Sequence, residues 1–329
     1  MKCARAVPLL FSLLSLFAPS VFGATALDKR EHSNHNGRKA ARPTSPKYFQ
    51  EPGSDPTLGH YDKRYYHGLI AYGEHQAILQ HLIRSYLLTS RSLGIETWIA
   101  HGTLLGWWWN GRIMPWDYDL DVQVSDVTLF YMAQNYNRTI YTYRYRDESG
   151  REFEREYLLD INPYHANPRS DGQNIIDARW IDTSNGMFVD ITSLAERDPR
   201  RAPGIWSCKN FHRYRTRELY PLRETEFEGV PASIPYSFDR VLTAEYGQKS
   251  LVITQFQKHK WDDEIKEWVQ MSGNRTIVPH TTPAPNPVTM TDRKGGDVVV
   301  QDEAEDNADD SDDDSDDSAE ESRKFVQSG

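Results

Sequence analysis

HGTLLG at residues 101–106 and PWDYDLDV at residues 115–122 are the stretches that decide how this chain folds. Residues 119–124 alternate acidic or polar with apolar side chains, which predicts a β-strand, and residues 103–110 predict a short helix before it. Because side chains alternate faces along a strand, Asp117, Asp119 and Asp121 are predicted to project from one face. The expected fold class is therefore a mixed α/β one.

The elements around this centre follow from periodicity and from turn residues. Apolar residues recur at helical spacing over 69–93, and Gly94 supplies a stop. Ser125 is a candidate N-cap for a helix running to Tyr136. The sequence further predicts strands at 95–101, 139–146, 156–161, 174–181 and 187–192, a helix at 237–246 ending at Gly247, and a last helix at 260–271 with Trp261, Ile265 and Trp268 on one face.

The acidic run is the main chemical signal. Carboxylates about 6–7 Å apart on one strand face repel one another and are tolerated mainly where water or a cation separates them. Hard divalent cations such as Mg²⁺ prefer carboxylate oxygens and leave positions open for phosphate. Asp190, among apolar neighbours in a later predicted strand, needs a partner and is a candidate third ligand. A solvated strand face or a calcium-binding turn is the alternative for the run, and capping or an arginine pair is the alternative for Asp190.

Gly102 and Thr103 lie at the predicted strand-to-helix turn. There they offer unhindered backbone N–H groups, a hydroxyl and a helix N-terminus, all of which favour an anion. A glycine and a threonine before a helix are a weak signal alone. Their order with the acidic strand and the later single acid strengthens the case for a phosphate site.

The two ends of the chain differ in composition from its centre. Lys2 and Arg5 precede an apolar stretch over 7–22, which predicts a signal peptide at 1–23. An uncleaved membrane anchor is the alternative, but the stretch is shorter than the roughly 20 residues that span a bilayer, which favours the signal peptide. Residues 24–60 are polar and predict a flexible stem, residues 61–273 a single domain, and residues 274–329 a disordered acidic tail.

Charge and cysteine content narrow the function classes. Residues 302–329 hold thirteen carboxylates and two basic residues, so removing them changes the formal net charge from −10 to +1. No basic block suggests nucleic acid as a partner. Cys208 has no intrachain partner once Cys3 leaves with the signal. Sequons at Asn137 and Asn274 fit a secretory-pathway protein, either in the Golgi lumen or secreted.

The motifs at residues 102–106, 113–121 and 188–191 resemble the LicD family, which includes fukutin-related protein and fungal proteins of mannosylphosphate transfer. The resemblance spans roughly residues 68–260. It implies a nucleotidyltransferase-like mixed sheet flanked by helices, and transfer of a phosphorylated group from a nucleotide donor onto a glycan or teichoic-acid-type acceptor. Residues 162–164 and 177–182 further resemble fungal members, which implies GDP-mannose as the nucleotide-sugar donor.

The resemblance also implies roles for particular residues. Asp119, Asp121 and Asp190 correspond to the ligands of a divalent metal, Mg²⁺ or Mn²⁺, and the pair at 102–103 to a phosphate-binding turn. Asp117 corresponds to a supporting ligand or a base. The chain departs from bacterial relatives at the tryptophans of 107–109, where a basic residue often stands, so Arg112 or a distant arginine is expected to neutralise the donor phosphates.

Several alternatives stay open from the sequence. The three tryptophans either pack in the core or stack on a sugar or base. His101 and His165 are interpreted as structural, and Arg179 either pairs with Asp182 or contacts substrate. A rival to catalysis is a regulatory protein that keeps the fold and assists a separate partner transferase, with the acidic tail recruiting basic partners or cations.

Overall fold

A computed structural model describes residues 47–146, 150–167, 175–271, 288–292 and 297–300. The predicted signal peptide, the first part of the predicted stem, the sequon at Asn274 and the cluster of tail carboxylates lie outside these residues. Within the described ranges, no helix combines the length and the apolar character needed to cross a membrane.

The structure is a mixed α/β fold. Its α-helices are α1 (Tyr72–Ser92), α2 (His101–Asn110), α3 (Asp126–Asn135), α4 (Thr216–Leu219) and α5 (Phe238–Tyr246), with 3₁₀ turns at Pro56–His60 and Gln248–Leu251. Its strands are β1 (Trp98–Ile99), β2 (Leu120–Ser125), β3 (Thr139–Arg146), β4 (Glu152–Ile161), β5 (Ala178–Asp182), β6 (Phe188–Leu194), β7 (Ile205–Ser207), β8 (Arg213–Arg215), β9 (Arg223–Phe227), β10 (Val230–Ile234), β11 (Gln255–Phe256), β12 (His259–Asp262), β13 (Glu267–Gln270), β14 (Val288–Asp292) and β15 (Asp297–Val300).

One mixed sheet organises the fold and positions the predicted site. Its strand order is β1-β2-β6-β5-β4-β3-β14-β15. The β2–β6 pair is parallel, and the other neighbouring pairs are antiparallel. Two strands that are distant in sequence therefore run side by side, and each of them carries one of the predicted acids.

Helix α1 contacts β5 and β6 through the apolar stripe that the sequence predicts. Leu79, Leu82 and Ile83 are fully buried along it, and Trp180 of β5 donates its indole N–H to Ser85 Oγ at 3.0 Å. The helix ends where predicted, because Gly94 takes a left-handed φ of 64°.

The strand–helix connection after β2 also follows the prediction. Ser125 Oγ accepts a hydrogen bond from the backbone N–H of Thr128, which is the N-cap geometry expected for α3. At the far end of the domain, Gly247 terminates α5 with φ 78°.

The predicted stem, residues 24–60, is too long at its C-terminal end. Phe49 is fully buried, and Tyr48 donates its hydroxyl to Asp160 Oδ1 at 2.9 Å. Two adjacent aromatic residues in an otherwise polar segment bury enough apolar surface to hold it against the domain. From residue 47 onward this segment therefore belongs to the folded unit.

The predicted helix over residues 260–271 is wrong, because β12 and β13 form a hairpin there. Trp261 and Trp268 are direct cross-strand partners, whereas Ile265 lies in the turn and is exposed. A spacing of seven residues fits two helical turns, but it also fits two strands joined by a four-residue turn. Asp262 supports the turn by accepting from the backbone N–H of Glu264 at 2.9 Å.

The tryptophans of residues 107–109 pack mainly into the fold. Trp109 lies against Trp261 and Trp268 with ring centroids 4.9 and 4.7 Å away, and Trp107 donates to Thr225 Oγ1 at 2.8 Å. Trp108 remains 39% exposed. Core packing, the first of the two sequence alternatives, therefore accounts for Trp107 and Trp109.

Strands β14 and β15 lie within residues 274–329, for which the sequence predicts disorder. They extend the sheet beyond β3, with Met290 in register with Tyr143. The segments are short but rich in β-branched residues, which suits a sheet edge.

Candidate functional site

Asp121 and Asp190 lie side by side on the two parallel strands. They are direct partners in the β2–β6 register, and both are half-buried. Residues in register on neighbouring strands project from the same face, and the strands lie about 4.8 Å apart. The flanking residues Leu120, Val122 and Val189 are buried. The sheet thus brings together two carboxylates that are far apart in the sequence.

The other two acids reach this place by a different route from the one predicted. Strand β2 begins at Leu120, so Asp117 and Asp119 precede it instead of lying along one straight strand. The chain turns there, with the backbone N–H of Asp117 donating to Met114 O at 2.9 Å. Even so, the side chains of Asp117 and Asp119 share a hydrogen bond, and the charge of Asp119 interacts with that of Asp121.

Burial raises the pKa of every carboxyl group in this cluster. It raises the pKa of Asp117 to about 6, although a hydrogen bond from Asp119 opposes the shift. The pKa of Asp119 rises well above its usual range through burial and the charge of Asp117. That of Asp121 rises likewise through burial and the charges of Asp119 and Asp190. Crowded, desolvated carboxylates of this kind favour a bound cation.

Arg179 holds Asp190 from the neighbouring strand. Its Nε donates to Asp190 Oδ1 at 2.9 Å, and its guanidinium lies 3.6 Å from the ring centroid of Phe188. Burial raises the pKa of Asp190, while Arg179 lowers it in part. Asp182, the partner considered from sequence, pairs with Arg155 at 3.0 Å. One oxygen of Asp190 is therefore engaged by arginine.

Two acids that precede α1, Glu51 in the predicted stem and Asp62 just after it, complete this ion-pair network. Glu51 Oε1 lies 3.2 Å and Asp62 Oδ2 3.5 Å from the Arg179 guanidinium, which is 1% exposed. Sequence reasoning missed Glu51 and Asp62, since no local pattern connects them with a strand more than a hundred residues away. Both acids help to position Arg179, which in turn holds Asp190.

His60 is a second neighbour that sequence reasoning missed. Its ring lies 5.8 Å from that of Tyr118, and its charge interacts with Asp119. Burial lowers the pKa of His60, and Asp119 opposes the shift. His75 also packs on the Tyr118 ring, with centroids 4.1 Å apart. These rings border the acidic cluster.

Gly102 and Thr103 lie at the start of α2, next to the acids. A Cβ added at Gly102 would stand 2.7 Å from Asp117 Oδ2, so only glycine leaves that carboxylate in place. Thr103 is 2% exposed, and its hydroxyl accepts from the backbone N–H of Asp121 at 2.9 Å. In this structure both residues attach the helix to the acidic segment, and a phosphate contact stays a prediction.

Arg112 is not brought to the acidic cluster. It follows the C-terminal end of α2, one helix length or roughly 15 Å from Gly102. There it pairs with Glu267 of β13 at 2.6 Å. The hairpin that replaces the predicted last helix supplies this partner, and the expected role of Arg112 toward donor phosphates stays a prediction.

His165 contacts a backbone carbonyl, whereas His101 contacts a carboxylate. His165 Nδ1 lies 2.9 Å from the carbonyl oxygen of Asn162, which agrees with a structural role. His101 Nδ1 lies 2.5 Å from Glu245 Oε1 of α5. The charge of Glu245 also raises the pKa of Asp121. Helix α5 therefore borders the acidic cluster.

Comparison with known proteins gives one family and two relatives. Residues 94–237 match the family described as "LicD/FKTN/FKRP, nucleotidyltransferase domain". The chain is 31% identical over 245 residues to Mannosyltransferase regulator 4 of Saccharomyces cerevisiae, which covers 70% of this chain and 20% of that protein. It is 35% identical over 179 residues to Mannosyltransferase regulator 14 of the same organism, covering 50% and 19%. The chain thus spans about a fifth of the length of these relatives.

Proposed function

Since residues 94–237 form a nucleotidyltransferase domain of the LicD family, we propose that the chain transfers mannosylphosphate from GDP-mannose to a glycan acceptor. The observation that carries this proposal is the register of Asp121 with Asp190 and the interaction of both with the charge of Asp119, which precedes β2. The names of the two yeast relatives support a role in mannosyl transfer or its regulation.

The acidic cluster fits a hard divalent cation. Asp119, Asp121 and Asp190 offer oxygen donors, which Mg²⁺ and Mn²⁺ prefer. Arg179 engages Oδ1 of Asp190, which leaves its second oxygen for an ion. When bound there, the ion would neutralise charge on the phosphates of a nucleotide sugar. Burial, and after it the neighbouring negative charges, raises the pKa of Asp119 and of Asp121.

In this proposal Asp117 serves as the proton acceptor. In the proposed reaction the acceptor hydroxyl oxygen forms a bond to the phosphorus that bears mannose, and the phosphoanhydride bond to GMP breaks. Asp117 takes the proton of that hydroxyl, and GMP leaves with the bridging oxygen. The missing side chain at Gly102 leaves room for the Asp117 carboxylate beside the start of α2. Asp121 is the alternative base.

A product assay tests this proposal. Purified protein is incubated with Mn²⁺, GDP-mannose and a mannan acceptor, and the products are analysed by mass spectrometry. We expect a mannosylphosphate adduct and GMP, both lost in the Asp119→Asn/Asp121→Asn variant and kept in an Asp198→Asn/Asp239→Asn variant that neutralises two exposed acids. Equal product from wild type and the first variant would refute the assignment of the acids.

Regulation is the second candidate function, because both yeast relatives are named regulators. In that case the chain would bind Mn²⁺ and GDP-mannose without turnover and restore activity to a separate transferase. Mixing experiments with a partner enzyme that lacks its own regulator distinguish the two. Turnover by the chain alone selects catalysis, whereas activity only in the mixture selects regulation.

We also propose that the chain acts in the secretory pathway, in the Golgi lumen or after secretion. Asn137 of the first sequon is exposed at the end of α3, where a glycan could be attached. Endoglycosidase treatment of the cellular protein should therefore increase its gel mobility, and the Asn137→Gln variant should show a smaller change. A protein without glycans and accessible to protease in sealed microsomes would contradict this location.

A further inference from the structure

A second cluster of metal-ligating side chains lies beside the acidic one. His101 at the start of α2, His212 before β8 and Glu245 in α5 each offer one ligand atom, and these atoms lie within 4.8 Å of one another. All three side chains are half-buried. The cluster joins three segments that are up to 144 residues apart. Within the described residues, this convergence involves none of the four acids of the proposed catalytic site.

The contacts between the three side chains are close. His101 Nδ1 lies 2.5 Å from Glu245 Oε1, and the rings of His101 and His212 have centroids 4.6 Å apart. His101 also adopts a left-handed backbone with φ 52°, an uncommon conformation for a non-glycine residue. Two imidazoles and a carboxylate around one point form a typical ligand set for zinc.

Hydrogen bonds orient both rings from outside the cluster. Cys208 Sγ lies 3.4 Å from His212 Nδ1, which leaves Nε2 of that ring for an ion. Gln123 Nε2 lies 3.4 Å from His101 Nε2, and Gln123 Oε1 accepts from the indole of Trp98 at 3.0 Å. Metal-binding histidines usually have an outer partner on the second ring nitrogen, most often a carboxylate, a carbonyl or water, and here a thiol and an amide take that position.

The contact with Gln123 must change when His101 binds an ion through Nδ1. The ring proton then resides on Nε2, and the amide of Gln123 turns its oxygen toward it. The 3.4 Å contact is longer than a normal N–H hydrogen bond, but the turn also breaks the 3.0 Å bond that Gln123 Oε1 accepts from the buried Trp98 indole, so ion binding must offset that loss.

We propose that His101, His212 and Glu245 bind one zinc-type divalent ion, separate from the ion of the carboxylate cluster. Imidazole nitrogens select zinc-type ions, whereas the all-oxygen cluster suits Mg²⁺ or Mn²⁺. A cavity of about 250 Å³, lined by His212, Tyr214, Arg240 and Glu245 among others, leaves space for a fourth ligand such as water. The ion cross-links α2 and α5 and thereby fixes the start of α2 beside the acids.

Zinc binding to untagged full-length protein tests the proposal. After dialysis against Zn²⁺ and then against a weak chelator, mass spectrometry of the metal content should find one zinc per wild-type chain. Loss of an outer hydrogen-bond partner weakens metal binding by about 10–100-fold. His212→Asn and Glu245→Gln remove ligands and should therefore weaken zinc binding by more than that. The His67→Asn variant, which removes an exposed histidine, should bind zinc like wild type.

Two further measurements keep the test decisive. The Asp119→Asn/Asp121→Asn variant should retain its zinc, because it changes the other cluster. Co²⁺ added to wild-type protein should give a visible spectrum of nitrogen and oxygen ligands that Zn²⁺ abolishes, whether or not the histidine variants fold. No retained zinc in wild type, or zinc lost with the aspartates and kept in folded His212→Asn protein, would overturn the proposal.

Discussion

Gly106, in the middle of α2, is the position where local and tertiary effects of one substitution oppose each other. Gly106→Ala would improve helix propensity by about 1 kcal/mol. However, the added Cβ would stand 2.3 Å from the carbonyl oxygen of Arg112 and 3.3 Å from the backbone nitrogen of Met114. Both atoms belong to backbone, so no side-chain rotation relieves the contact. Either α2 or the segment that follows it must move.

The steric effect should dominate. Overpacking of a closely packed site costs about 1–3 kcal/mol, and a forced backbone shift belongs to the upper part of that range. After subtracting the propensity gain, we expect the free energy of unfolding to fall by about 1–2 kcal/mol. For a domain of this size that corresponds to a Tm lower by roughly 2–8 °C. Urea unfolding followed by tryptophan fluorescence measures the change, with the midpoint falling at constant m-value.

Gly73→Ala is the matched control. Gly73 lies in α1, and a Cβ added there meets nothing within 4 Å. This variant should be as stable as wild type or more stable by up to about 1 kcal/mol. If Gly106→Ala were as stable as Gly73→Ala, α2 would not be closely packed on the segment that leads to the acids.

Two other substitutions probe the site and its support, and a third probes a histidine of α1. Gly102→Ala displaces the Asp117 carboxylate, so product formation should fall by about 10–100-fold while Tm changes little, as measured by the product assay and calorimetry. Arg179→Met removes the cation that pairs with Asp190, whereas Glu51 keeps Lys47 and Asp62 keeps Arg64, and it should lower the free energy of unfolding by about 3–5 kcal/mol in urea. Burial lowers the pKa of His81 to about 3, so the unfolded chain binds more protons than the folded one below pH 6.5 or so. Stability should therefore fall by about 2 kcal/mol from pH 7 to pH 5 through this group, and His81→Phe should remove that part in urea titrations at the two pH values.

Each of the three predictions has a contradicting outcome. Full activity of Gly102→Ala would mean that Asp117 takes no part in the reaction. A loss below about 1 kcal/mol for Arg179→Met would show that its carboxylate partners find other cations or protons. An unchanged pH dependence in His81→Phe would assign acid sensitivity to other groups.

The elements fixed by local chemistry could be predicted from sequence. Helix α1, its stop at Gly94 and the Ser125 cap depend on periodicity, a left-handed turn and a short polar side chain. The same local reasoning fails at Trp261 and Trp268, because their spacing fits a helix and a hairpin alike. Packing against Trp109, which lies more than 150 residues earlier in the chain, favours the hairpin.

The site shows the same division between local and distant effects. A short acidic run and a single acid in an apolar strand predict convergence, and the parallel β2–β6 pair brings Asp121 and Asp190 together. The contacts of Arg179 with Glu51 and of His101 with Glu245 join segments 128 and 144 residues apart, so no sequence window contains them. The departure of Asp117 from the strand follows from the turn at Met114.

Mn²⁺ binding followed by electron paramagnetic resonance tests most directly whether acids from two strands share a cation. Wild type should bind one ion more tightly than all others, and Asp121→Asn/Asp190→Asn should lose that ion alone. The Asp198→Asn/Asp239→Asn control should keep the ion, because these two exposed acids are not part of the cluster. The carboxylates of residues 302–321 are unchanged in all three proteins, so their binding of Mn²⁺ does not affect the comparison. Identical titration curves for wild type and the Asp121→Asn/Asp190→Asn variant would contradict the shared site.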